Sequence, residues 1–223
     1  MNRRVYIIIP VYNEEKVIRS VLSEVKKAGF HHIIVVDDGS TDNTSKEAQK
    51  EHSMIVRHAL NRGKGAAIKT GIETAKQLGA SLIVTFDGDG QHDPKDIEKL
   101  ITVLDSGYDV VLGSRFLLHQ EIPFYKRMAN YIANCITYLL YGIWVTDSQS
   151  GLRAYTMRTF TNVDTHNDRY GFDTEILRTI RKNHLSYKEI PMCVRYTDYS
   201  QKKKNRQDAT SAILTMVKVI LSS

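Results

Sequence analysis

Asp87-Gly88-Asp89 places two carboxylates one residue apart, and Gln91 adds a neutral side-chain oxygen two residues later. Hard oxygen donors grouped this way suit Mg2+ or Mn2+ bridging a diphosphate. Asp-x-Asp is common in turns, so the pair gains its weight from standing at the end of an apolar run, 82–87. Two further runs end in polar groups of the same kind, Pro10-Val11-Tyr12-Asn13-Glu14 and Asp37-Asp38-Gly39-Ser40. In open α/β sheets ligands bind beyond the carboxyl ends of the strands, so the three run ends are expected to meet at one edge. Asn61-Arg62-Gly63-Lys64-Gly65 follows another apolar run and opens a helical pattern. Its backbone amides and its two cations are expected to face phosphate oxygens. The spacing is not that of a Walker A loop.

The elements that must position these groups follow from the apolar pattern. Segments 5–10, 33–37, 54–58, 82–87 and 110–113 are short runs without alternation, which predicts strands buried on both faces. Val17, Ile18, Val21, Leu22 and Val25 recur at helical spacing, with Asn13 expected to cap that helix and Gly29 to stop it. Ile97, Leu100, Ile101 and Leu104 do the same behind Asp93-Pro94, a cap followed by a proline at the first helical position. Strands alternating with helices predict an α/β fold: an open, twisted, mostly parallel sheet with helices on both faces.

Segment 128–145 is almost uncharged and of helical length, but Asn130, Asn134, Thr137 and Gly142 interrupt it. These breaks predict a helix packed on the domain or lying in an interface rather than a membrane span. The last segment repeats Ile213, Met216, Val217, Ile220 and Leu221 behind Lys202, Lys203, Lys204 and Arg206, the pattern either of an amphipathic helix at a membrane surface or of a helix that closes the core beside a solvated charge run.

With 223 residues, 42% hydrophobic and 25% charged, the chain is expected to form one globular domain, 1–223. A net charge of +6 points to a polyanionic partner without choosing among nucleic acid, nucleotide and anionic lipid. Cys135 and Cys193 lack metal-ligand spacing and are expected to be buried thiols. The first residues run straight into a short strand and lack the long apolar core of a signal peptide, which predicts a place on the cytoplasmic side.

These motifs, together with Gly113-Ser114-Arg115 and Asp147-Ser148-Gln149-Ser150-Gly151-Leu152-Arg153, stand in the order found in the family 2 glycosyltransferases. The chain resembles the polyprenyl-phosphate branch of that family, typified by dolichyl-phosphate mannose synthase, from Ile7 to about Tyr199. The resemblance implies a GT-A fold and amphipathic C-terminal helices, with a donor and metal half at 1–115 and an acceptor half at 116–223. It implies that Pro10, Tyr12, Asn13, Glu14 and Asp38 form the nucleoside pocket. Gly63, Lys64, Asp87, Gly88 and Asp89 would take the donor's diphosphate, and Asp87, Asp89 and Gln91 the metal. Arg115, Arg127 and Arg153 would hold the acceptor phosphate, and Asp147 to Arg153 would shape the sugar side of the cleft.

The implied reaction moves a hexose from GDP-mannose, UDP-glucose or a UDP-N-acetylhexosamine to dolichyl or undecaprenyl phosphate, with inversion. A lipid phosphate is already ionised and needs no base. A saccharide or protein hydroxyl, the alternative acceptor, needs one, and Asp147 or Glu175 is the candidate. His92 is expected to support the metal motif rather than to move a proton. Tyr199-Ser200 is followed by Gln201 rather than by the lysine common in mannose-transferring members, which leaves the sugar open. The expected enzyme is peripheral at the membrane surface, alone or with a second copy or a membrane protein. A nucleic-acid-binding module fits the basic charge but explains neither the paired carboxylates nor the ordered strand ends.

Overall fold

The computed structural model describes residues 3–118, 124–160 and 172–195. Four apolar runs become the inner strands β1 (Val5–Val11), β2 (Ile33–Asp37), β4 (Leu82–Thr85) and β5 (Val110–Ser114). The run at 54–58 forms β3 (Met54–Arg57), but as an edge strand whose residues are partly or fully exposed, so the expected burial on both faces fails there. Two strands had no apolar signature: β6 (Arg153–Thr156) and β7 (Tyr187–Pro191).

All seven form one sheet in the order β3-β2-β1-β4-β6-β5-β7. β1 pairs in parallel with β2 and β4, β2 with β3, and β5 with β7, whereas β6 runs antiparallel between β4 and β5. The carboxyl ends of β1, β2, β4 and β5 therefore share one edge, as the strand-end motifs require.

Successive side chains along a strand point to opposite faces, so β1 feeds two cores. Ile7, Ile9 and Val11 pack with α1 (Ile18–Lys27) and α4 (Lys95–Asp105). Tyr6 and Ile8 pack on the other face with α3 (Lys64–Gln77) and α6 (Phe172–Lys182). A short helix, α2 (Thr44–Gln49), follows β2.

Helix ends follow the expected chemistry in part. α1 is turned off at Gly29, whose φ of 94° lets Phe30 N–H reach the Val25 carbonyl at 3.3 Å. Asp93 Oδ1 accepts from Lys95 N–H at 3.0 Å at the start of α4, as a cap should. Asn13 does not cap α1, which begins five residues later behind Val17. Its Oδ1 instead accepts from Thr41 N–H at 2.9 Å, tying the exit of β1 to the turn after β2.

The uncharged stretch forms α5 (Phe124–Tyr141) with its polarity reversed. Asn130, Ala133, Asn134 and Thr137 face the protein, while Met128, Tyr131, Ile132, Tyr138 and Leu139 face out, Leu139 with 81% exposure. No helix among the described residues is long and apolar enough to cross a membrane. Contrary to expectation neither thiol is buried: Cys135 is half-buried on α5 and Cys193 is exposed. The segment from Lys202 to Leu221 lies outside the described residues.

Candidate active site

A cleft of about 310 Å3 opens at the carboxyl edge of the sheet. Pro10, Tyr12 and Glu14 reach it from the end of β1, Asp38 from β2, Gly63 and Lys64 from the start of α3, and Asp87, Gly88 and Asp89 from β4. These are the expected donor residues with one exception, Asn13, which does not line the cleft and is stitched to the 40–41 turn.

The two acids of the cleft are in different electrostatic states. Burial acts to raise the Asp87 carboxyl, but the Lys64 ammonium at 2.6 Å and His92 Nε2 at 3.1 Å outweigh it and hold the group well below the usual carboxylate range. For Asp89, burial and the neighbouring Asp87 charge both act upward, so its carboxyl lies above the usual range. Two half-buried carboxylates side by side form a site short of positive charge. Lys64 stands where a cation is wanted: burial opposes its charge, yet Asp87, Asp173 and Asp89 raise its ammonium above the ordinary lysine range.

His92 is buried, edge-on to Phe86 at 5.6 Å, and buttresses Asp87 as expected. Gln91 Nε2 donates to Asp89 Oδ2 at 2.6 Å, so this side chain supports one carboxylate from its amide nitrogen. Residues beyond β7 press the motif from outside: Val194 bridges His92, and Arg195 N–H donates to the Gln91 carbonyl at 2.8 Å. Among the described residues no cluster of three or more His, Cys, Asp or Glu side chains is placed to hold a metal. The acids Asp87 and Asp89 still fit Mg2+ or Mn2+, because such ions are commonly held by one or two carboxylates with substrate phosphates and water completing the shell.

Asp38 is heavily engaged. Its Oδ1 accepts from Arg62 N–H at 2.9 Å and lies 2.7 Å from His58 Nδ1, while its Oδ2 accepts from Gly63 N–H at 2.7 Å. The amides of Arg62 and Gly63 therefore hold the cleft wall together instead of facing phosphate, and that loop brings the Lys64 ammonium to the cleft.

Arg115 follows β5, and Asp87 follows β4 by two residues, with β6 between the two strands. At about 4.8 Å per strand they are separated by roughly 10 Å, room for a sugar between two anions. The Arg115 guanidinium grips Asp147 through two bonds of 2.7 Å, Nε to Oδ2 and Nη2 to Oδ1. Asp147 is fully buried beneath it. Glu175, the other candidate base, pairs with Lys69 at 2.9 Å. Arg127 is exposed on α5 one turn ahead of Asn130.

Arg153 is not placed to meet an acceptor. It is 1% exposed, and its guanidinium donates to the carbonyls of Ser150, Ser148 and Asp173 and pairs with Asp173. It anchors the 148–151 loop from beneath. That loop passes so close to the cleft that a Cβ at Gly151 would fall 2.6 Å from Asp87 Cγ. Thr146, Glu189 and Asp173 carry no motif in the sequence because their roles arise from contacts between distant segments, and Gly151 stood out only as a member of the 147–153 motif.

An open sheet with a nucleotide-sized acidic cleft beyond its parallel strands is the architecture of GT-A glycosyltransferases. A glucosyl-3-phosphoglycerate synthase from Mycobacterium tuberculosis, solved with Mn2+, UDP and phosphoglyceric acid, shares this fold. The TM-score is 0.68 at 17% identity, over 98% of this chain and 78% of that one. Residues 6–196 match the Glycosyl transferase family 2 domain, and the chain belongs to that family. Its relatives include a UDP-N-acetylglucosamine–dolichyl-phosphate N-acetylglucosaminyltransferase of Methanococcus voltae, 37% identical over 89% of this chain and 88% of that protein. A polyprenol monophosphomannose synthase of Mycolicibacterium smegmatis is 28% identical over 85% of this chain and 77% of its own length.

Proposed function

We propose that the protein is a single catalytic unit that moves a hexose, with inversion, from a nucleoside diphosphate sugar to a polyprenyl phosphate at the cytoplasmic face of a membrane. The observation that carries this reading is the state of the candidate bases. Asp147 is fully engaged by Arg115, and Glu175 is paired with Lys69. An acceptor hydroxyl would need a base in the cleft, whereas a phosphate is its own nucleophile and needs cationic positioning.

In this reading Pro10, Tyr12, Glu14 and the wall built by Asp38 receive the nucleoside, GDP- or UDP-linked. Asp87 and Asp89 would hold Mg2+ or Mn2+, with His92 and Gln91 keeping the two carboxylates in place. A divalent cation there supplies Lewis-acid neutralisation of the departing diphosphate. Lys64 shifts its ammonium toward the same diphosphate, and Arg115 with Arg127 holds the acceptor phosphate on the far side of the sugar. A phosphate oxygen forms the new bond to the anomeric carbon as the bond to the nucleoside diphosphate breaks, and no proton is transferred.

The reversed polarity of α5 supports the membrane location. An outward stripe of Met128, Tyr131, Ile132, Tyr138 and Leu139, with Trp144 edge-on to both tyrosines, has the composition of an interfacial anchor. Exposed Arg127 on the same helix, and Arg178, Arg181 and Lys182 on the neighbouring α6, add positive charge for an anionic surface. Trp144 is the chain's one tryptophan, so its emission reports on this face alone. Anionic vesicles are expected to shift that emission to the blue, and Leu139→Glu to weaken vesicle binding by about tenfold or more. An emission spectrum indifferent to vesicles would remove the membrane from the account.

A thermal-shift panel of GDP- and UDP-sugars with Mn2+ tests the donor site. At about 100 times its Kd the right donor stabilises the protein by about 2.7 kcal/mol, on the order of 5 to 10 °C at this size. If no nucleotide sugar moves the midpoint, the donor assignment fails.

A further inference from the structure

Arg115 is useful only if its guanidinium is held in one place; Asp147 grips it, and the carboxylate behind Asp147 lies on a strand without any motif. Glu189 sits on the edge strand β7 and is half-buried. Both of its oxygens accept from Thr146 N–H, at 2.9 and 3.0 Å, and its Oε1 also accepts from the Thr146 hydroxyl at 2.8 Å and from Asp147 N–H at 3.4 Å. Among the described residues no Lys, Arg or His is paired with it. Taking a carboxylate out of water without a counterion is costly, and among the described residues the compensation comes from two consecutive residues of one turn.

Thr146 joins four segments. Its carbonyl accepts from Asn130 Nδ2 and Asn134 Nδ2 on α5, at 2.7 and 2.9 Å, and its hydroxyl lies 2.6 Å from that of Ser114 at the end of β5. Ser114 immediately precedes Arg115, and Asp147 immediately follows Thr146. The Ser114–Thr146 contact therefore sets the register of the Arg115–Asp147 ion pair, and Glu189 sets the place of Thr146. Tyr187 strengthens the same grip, its hydroxyl 3.2 Å from the Trp144 carbonyl.

We infer that Glu189 is a positioning residue for the acceptor side of the cleft: through Thr146 it fixes Asp147, and through Asp147 it fixes the Arg115 guanidinium. The inference rests on the proposed phosphate-holding role of Arg115 for its kinetic consequence, but not for its geometry. It separates Glu189 from the donor side, because among the described residues no hydrogen bond of Glu189 or Thr146 reaches Asp87 or Asp89.

The test compares Glu189→Gln, Thr146→Val and Thr146→Ser in the full chain. The first readout is the Arg115 Nε–H resonance, which its bond to Asp147 is expected to protect from exchange in the wild type. The second is the KM for a polyprenyl phosphate, and the third is the thermal shift given by the nucleotide sugar with Mn2+. Glu189→Gln and Thr146→Val are expected to lose the protected resonance and to raise the acceptor KM by about tenfold or more, since small misplacements of positioning groups are costly. The donor-induced shift is expected to stay within error, and Thr146→Ser, which keeps the hydroxyl, restores both other readouts. A protected Arg115 resonance in Glu189→Gln overturns the inference, as does a donor shift that falls in step with the acceptor effect. If Glu189→Gln does not fold, the Thr146 pair decides in the same terms. If the wild type transfers no sugar to lipid phosphate, the proposed function fails, while the resonance still tests the positioning role.

Discussion

Asp89→Ala is expected to lower turnover by about three orders of magnitude while leaving the ligand-free melting temperature no lower than that of the wild type. The first effect follows from removing a group that, in the proposed reaction, would hold the charge-neutralising cation, in the range seen when a main electrostatic stabiliser of a transition state is lost. The second follows from the state of the group itself. Burial and the Asp87 charge lift the Asp89 carboxyl, so its ionised form is a strain on the empty cleft. Removing it relieves like-charge repulsion, a trade of stability against activity common at functional sites. Turnover assays and a melting curve on the same sample check both parts. A variant that keeps a tenth of wild-type turnover would show that the paired acids do not hold the reaction's metal.

Gly151→Ala is expected to weaken metal-dependent donor binding and turnover by about a hundredfold, although the residue bears no functional group. The added Cβ would lie 2.6 Å from Asp87 Cγ, far inside van der Waals contact. The loop cannot retreat easily: Thr85 Oγ1 donates to the Gly151 carbonyl at 2.8 Å, Arg153 Nε holds the Ser150 carbonyl, and Gly113 N–H holds the Leu152 carbonyl. Relief must come from the Asp87 carboxylate, which would be driven from Lys64 and His92. Displacing groups that orient a metal ligand commonly costs 10- to 100-fold in affinity, and overpacking adds a loss of about 1 to 3 kcal/mol in stability. Mn2+ titration followed by nucleotide binding would measure the effect. Unchanged Mn2+ affinity would mean that the loop moves instead of the acid.

The inner strands β1, β2, β4 and β5 were legible in the sequence because they are buried on both faces and read as unbroken apolar runs. The same logic explains what was missed. β6 carries a buried arginine at its first position, and β7 is an edge strand reading Tyr-Lys-Glu-Ile-Pro, so neither shows an apolar run. The family resemblance implies an anion-binding role for Arg153. Only the fold reveals that its donors are directed at carbonyls of its own loop. Asp38 lines the cleft, but that its oxygens are taken by the Arg62 and Gly63 amides depends on contacts spanning 24 and 25 residues. For α5 the sequence offered an apolar run broken by asparagines. That the asparagines turn inward to meet Thr146 and the apolar residues turn out is a property of the packed molecule.

The most direct test supplies the purified protein with Mn2+, a polyprenyl phosphate and each labelled nucleotide sugar in turn, and follows label into the lipid phase. The account predicts lipid-linked sugar of inverted anomeric configuration from one donor, abolished by chelation of the metal and strongly reduced by Arg115→Ala. Label that stays in water with every donor, or that reaches only a saccharide or protein hydroxyl, would contradict it.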